Sequence, residues 1–158
     1  MAFAVDHLRF SRLVSLGLVL SVLVVPTRLM GSQPPTVEEL KARVAKANLP
    51  DRPALCIHIS ELQLAAADRF YTAGDSEKAQ ASLVDVVAFA ALARDYSIQS
   101  RKHEKQSEIA VRKMVHKLAD MKHTVSHDDQ EQVQTTIDRL QRIRDDLLAA
   151  MFPKGIKK

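Results

Sequence analysis

After residue 36, apolar residues recur at spacings of three and four, the period of an amphipathic helix. Val37, Leu40 and Val44 mark a short first helix. Thr36 and Glu39 open it as a capping box, and Asn48 and Pro50 close it. A second helix starts at Asp51, tolerates Pro53 in its first turn, and carries Leu55, Ile59, Leu62, Ala66 and Phe70 as its core stripe. Gly74 ends that helix, and Asp75 caps the one that follows.

From Ser76 the chain has no Gly or Pro until Pro153. A single heptad-like frame runs through Ala79, Leu83, Val86, Ala90, Ala93, Ser97, Ser100, Glu104, Ser107, Val111, Met114, Leu118, Met121 and Val125, apolar at both ends and polar in its middle. Two structures fit: one helix across the stretch, or a break near Tyr96 to Ser100, where helix propensity is weak. Length matching favours the break, which gives four helices of roughly 21 to 25 residues, each about 35 Å long. Ser126, with Asp129 three residues on, opens the last helix. Its core face is Val133, Ile137, Leu140, Ile143, Leu147, Leu148 and Met151, and Pro153 with Gly155 ends it. The expected fold is all-α: an antiparallel bundle of helical hairpins, about four long helices plus a short N-terminal one.

The residues before the bundle change the picture most. Leu13 to Val25 carries no charge, follows Arg9 and Arg12, and stops at Pro26, the layout of a secretory signal. It is shorter than the roughly 20 apolar residues that span a bilayer as a helix. Cleavage is therefore expected near Gly31 to Gln33, with an uncleaved anchor as the alternative. No Cys follows the run, so a lipoprotein anchor is not expected. The expected organisation is a signal segment over 1–32, a Pro-stiffened linker over 33–36, one bundle domain over 37–152 and a basic tail over 153–158. The destination is the periplasm or the extracellular space.

Composition agrees with helix: there is no Trp, there are only four Gly, and Cys56 is alone, so no internal disulfide forms. Cys56 reads as a small apolar residue on a helix. The net charge of +4 falls to about +2 once the leader's three Arg and one Asp are removed, which leaves nucleic-acid binding little support. Arg101 to His127 holds seven Lys or Arg against three acids, and Asp128 to Met151 holds six acids against three Arg. These two segments are expected to pack antiparallel with opposite charges facing across the seam, fixing register more than stability.

Chemistry is sparse. His116, Asp120, His123 and His127 fall along one helical stripe, and imidazole with carboxylate at such spacing can hold Zn²⁺, Cu²⁺ or Ni²⁺. The competing reading is a solvated face, because Lys117 and Lys122 are interleaved with them. Asp128-Asp129 and Asp145-Asp146 are neighbours about 100° apart on a helix, so neither is a working carboxylate pair. There is no nucleophile elbow, Gly-rich phosphate loop or His-Glu-x-x-His helix.

Two local likenesses remain. Val115-His116-Lys117-Leu118 superficially resembles the active helix of histidine phosphotransfer domains, itself part of a four-helix bundle. The pattern departs at Ala119-Asp120, where that family has Lys-Gly, and export would separate the chain from ATP-dependent kinases. Ala67, Phe70, Gly74, Asp75, Ala79 and Leu83 resemble the inter-helix turn of one tetratricopeptide repeat, but no second copy follows about 34 residues on. A plain helical hairpin accounts for the pattern.

The functional expectation is an exported, non-enzymatic helical protein acting through contacts with a protein partner or with itself, as an adaptor, chaperone-like or envelope-associated module. Periplasmic divalent-metal binding or sensing through the His/Asp stripe is the alternative. Peripheral membrane contact through the N-terminal segment or Lys154, Lys157 and Lys158 is a weaker third. No nucleic-acid partner and no resident cofactor are expected.

Overall fold

A computed structural model describes residues 35–153, so the signal segment, the start of the linker and the tail from residue 154 lie outside the described residues. The described chain forms five α-helices: α1 (Val37–Lys46), α2 (Arg52–Thr72), α3 (Ser76–Ser100), α4 (Glu104–Lys122) and α5 (His127–Met151), with a 3₁₀ turn at Leu49–Asp51 between α1 and α2. No helix among the described residues is long and apolar enough to cross a membrane.

Side-chain caps set most helix starts. The Thr36 hydroxyl accepts from Glu39 N–H at 3.3 Å while the Glu39 carboxylate accepts from Thr36 N–H at 3.0 Å, completing the capping box of α1. The Asp75 carboxylate accepts from Lys78 N–H at 3.2 Å, and the Ser126 hydroxyl accepts from Asp129 N–H at 3.3 Å. α2 and α4 have no side-chain cap of this kind.

α2 and α3 make one antiparallel hairpin, α4 and α5 a second, and the two stack chiefly through α3 against α5. Cross-contacts fix the directions. Ser76 in the first turn of α3 donates to Asp129 in the first turn of α5, and Arg94 near the end of α3 pairs with Asp146 near the end of α5. α3 and α5 are therefore parallel neighbours. Asp68 to Lys117 and Ser60 to Met114 make α2 and α4 parallel in the same way. α1 lies on the other side of the first hairpin, anchored by fully buried Leu40, with Lys41 reaching Asp85 and the ring of Phe89 on α3. The first hairpin is thus sandwiched between α1 and the second hairpin.

The core runs through Leu64, Leu83, Val86, Ala90, Val111, Met114, Leu118, Val133, Ile137, Leu140 and Leu147. Each Leu, Ile, Val or Met among them, fully buried, contributes on the order of 1.5–3 kcal/mol. Ala67, Ala79 and Ala93 are fully buried beside it. Small residues at these places let the helices of the first hairpin approach closely. The helices of the second hairpin start about 52 and 51 residues after their counterparts in the first, at 104 against 52 and at 127 against 76. That offset is much longer than the period of about 34 of tetratricopeptide arrays.

Four expectations change. The heptad frame does break, as length matching favours, but α3 runs through Tyr96 to Ser100 and the chain turns at Arg101–His103. Backbone bonds from Arg101 N–H to Ile98 and Lys102 N–H to Ser97 close α3 as a Schellman motif, with Arg101 at φ 53°. The frame survives the turn because Ser97 and Ser107, fully or nearly fully buried, bond each other at 2.9 Å across it.

The buried face of α2 differs from the expected stripe. Cys56, Ile59, Ser60, Leu64 and Ala67 are buried, whereas Leu55, Leu62, Ala66 and Phe70 are half-buried. The face is rotated by about 100°, one residue along the helix. Two causes combine: α2 is covered on two sides, and Ser60 enters the core by donating its hydroxyl to the Val86 carbonyl at 2.7 Å. On α5, Leu148 and Met151 are half-buried rather than core, while Asp129 and Thr136 are buried.

The seam between α4 and α5 also departs from expectation. The helices pack antiparallel, yet the ion pair that joins them has inverted polarity. Arg144 of the acidic helix donates to Glu108 of the basic helix at 2.8 Å. Of the bulk charges, Lys117 pairs with Asp68 on α2, and Asp146 with Arg94 on α3. A segment's net charge says little about a seam that one buried carboxylate occupies.

Candidate functional site

The proposed metal stripe is not brought together. His116, Asp120, His123 and His127 are all exposed. The α4 members point away from buried Val111, Met114, Leu118 and Met121, because their positions lie on the opposite side of the helix. His127 sits past the turn, at the start of α5. Among the described residues no group of three or more His, Cys, Asp or Glu side chains is placed to share a metal ion. One helix face supplies at most two adjacent ligands, and no neighbouring helix adds the others.

Cys56 is fully buried, and burial pushes its thiol up to about 11, partly offset by the Arg52 guanidinium. A thiol so placed is a poor nucleophile, since the thiolate is the reactive form.

Asp129 is the most heavily engaged polar side chain. It is 5% exposed and accepts from Ser126 Oγ at 2.6 Å, Ser76 Oγ at 2.8 Å and Gln80 Nε2 at 3.1 Å. The Ser126 bond first, then those of Ser76 and Gln80, hold its carboxyl below the usual range against an opposing contribution from burial. It binds the first turns of α3 and α5 together. Nearby, the Tyr71 hydroxyl is buried without a hydrogen-bond partner among the described residues. Burial, then the charge of Asp129, pushes its ionisation up to about 12. Three protein donors converge on the Asp129 carboxylate.

α3 presents the main apolar surface. Val84 is 53% exposed, Leu92 38% and Ile98 39%. Exposed Ala81, Val84, Ala88 and Leu92 follow one another at spacings of three and four, on the side facing away from buried Leu83, Val86 and Ala90. Asp95 and Gln99 continue the stripe as its polar end. The core frame of α3 was visible in the sequence. This second stripe was not singled out, because an Ala- and Val-rich helix is apolar on nearly every side and periodicity loses its contrast there. Phe152, 72% exposed at the end of α5, is the remaining large exposed hydrophobe among the described residues.

No protein-family model, curated protein or solved structure matches this chain.

Proposed function

We propose that this chain is an exported, non-enzymatic helical protein that works by contact with another protein or with a second copy of itself. The observation that carries the reading is the outer face of α3, where Val84, Ala88 and Leu92 leave apolar surface in water while the opposite face of the same helix is fully packed. Exposed single hydrophobes are ordinary on any protein, but a contiguous apolar stripe is a feature of interaction surfaces. Export rests on the Leu13 to Val25 run and its basic flank.

Photo-crosslinking tests the contact. A photoreactive amino acid at position 84 or 92, introduced in the producing cell, is expected to give a discrete higher-mass adduct. The same group at exposed Arg112 on α4 is expected to give none. Absence of adducts at 84 and 92, or the same adducts from 112, contradicts the reading. Mass spectrometry of the mature N-terminus tests export: a start near Gly31 to Gln33 supports it, and intact Met1 in the cytoplasmic fraction refutes it.

A further inference from the structure

The end of the bundle opposite the Asp129 node carries a second feature. The last turn of α1, the 3₁₀ turn, the first turn of α2 and the α3–α4 turn enclose an open cleft of about 490 Å³. Its floor is apolar, made of Ala47, Ala54 and Leu55, and its rim carries Arg43, Lys46 and His103 against a single acid, Asp51. Neither Arg43 nor Lys46, the two cations of the rim, nor His103 pairs with a carboxylate of the described residues. Arg101 and Lys102, both exposed, adjoin His103 in the chain.

The walls are held from inside. The Arg52 guanidinium donates to the Ala47 carbonyl at 3.0 Å and lies 5.3 Å from the centre of the Tyr96 ring, tying the end of α1 to α2 and α3. Leu40, fully buried, anchors α1 beneath it. Rim cations on a fixed frame lose less freedom when they engage a ligand. Helix dipoles do not decide the sign here, because of the four helices that border the cleft two end, α1 and α3, and two start, α2 and α4. The charge comes from the side chains.

We infer that this cleft docks an acidic peptide segment of a partner protein, with carboxylates on Arg43, Lys46 and His103 and an apolar side chain on Ala47, Ala54 and Leu55. The chemistry of the rim selects this occupant. Two cations and an imidazole around an apolar floor suit carboxylates and an apolar side chain spaced along a peptide better than one compact dianion. No exposed aromatic lines the cleft for a base to stack on, which separates it from a nucleic-acid groove. The inference rests on the contact reading above and adds the partner's chemistry to it.

The test uses the full-length protein and a fluorescein-labelled peptide alternating Leu with pairs of Glu, read by fluorescence anisotropy. Saturable binding is expected, weakening with added salt. The double substitution R43Q/K46Q is expected to raise Kd at least about tenfold, roughly 1.4 kcal/mol. H103A is expected to raise it less, and K122Q, at the far end of the bundle, to leave it unchanged. Both cleft positions on α1 are exposed, so the double substitution is expected to keep the fold, with an unchanged circular dichroism spectrum. No saturation at millimolar peptide, or a Kd indifferent to R43Q/K46Q, overturns the assignment. So does equally tight binding of the Lys version of the peptide, of inorganic phosphate or of a short oligothymidylate. Failure here with crosslinking at 84 and 92 intact removes the cleft and leaves the contact reading standing.

Discussion

The two ends of α3 carry the same backbone motif and differ in almost everything else. At its start, Gly74 N–H bonds the Tyr71 carbonyl and Asp75 N–H bonds that of Phe70, closing α2 with Gly74 at φ 77°. At its end, Arg101 and Lys102 close α3 by the same pair of bonds, but the left-handed residue is an arginine, and His103 follows at φ 64°. Glycine takes this conformation freely, whereas for an L-residue it costs about 1–2 kcal/mol. The first end is capped by Asp75 and bound to α5 through Asp129; at the second, α4 begins without a side-chain cap. One end is built for stability. The other keeps backbone strain at Arg101 and His103, an open cleft, and rim cations without a carboxylate partner among the described residues. Strain of this kind collects where a surface has another task.

Four substitutions sharpen or break that contrast, in falling order of effect. Asp129→Ala leaves Ser76, Gln80 and the start of α5 without their acceptor, and urea unfolding is expected to show a loss of about 2–3 kcal/mol. A loss under about 0.5 kcal/mol would show that the node does not hold this end together. Gly74→Ala meets no neighbouring atom, so its cost is backbone strain alone. Part of that strain is offset by the stiffer unfolded chain, which leaves a net loss of about 1 kcal/mol.

Arg101→Gly runs the other way. It relieves the left-handed strain at the opposite end, and the protein is expected to gain about 0.5 kcal/mol, visible as a rise in Tm. A loss would mean that the arginine side chain holds the turn, and the two ends would then be alike. Tyr71→Phe removes a buried hydroxyl that lacks a partner among the described residues. It is expected to be neutral or to stabilise by less than about 0.5 kcal/mol in the same unfolding assay.

The same contrast has a pH signature. The folded-state ionisation of Asp75 and Asp129 lies below the ordinary value, held there first by bonds from Lys78 and from Ser126 respectively. For a depressed carboxyl the stabilisation is fully present above the unfolded value of about 3.9 and is lost as pH falls through the lower folded value. Stability should therefore decline in acid below about pH 4, and Asp129→Asn should flatten that decline. An unchanged acid profile in Asp129→Asn would remove the node from the acid response.

What the sequence made legible follows the same division. Thr36, Asp75 and Ser126 start helices with side-chain chemistry that reads directly from residue type, and Gly74 announces its turn. The Arg101 turn carries no such signal: neither Arg nor His marks a left-handed residue, and the heptad frame runs on through Ser97 and Ser107. Length matching placed a break only a few residues early. The α2 face was missed by one residue because Ser60 reads as polar until Val86 supplies an acceptor for its hydroxyl. The α4–α5 seam misled because bulk charge hid the pairing of Glu108 with Arg144.

The candidate sites fared differently. The His stripe was visible in sequence and is four separate exposed side chains in space. The basic cleft was invisible, since Arg43, Lys46 and His103 lie up to 60 residues apart in the chain and meet only because α2 and α4 run parallel.

Chemical-shift mapping of the isotopically labelled full-length protein with the Leu/Glu peptide tests the division of labour between the two ends most directly. Perturbations are expected to centre on Arg43, Lys46, Ala54 and His103, with Gly74, Asp75 and Asp129 unmoved. Perturbations centred on the Asp129 end, or spread evenly over both ends, would contradict that division.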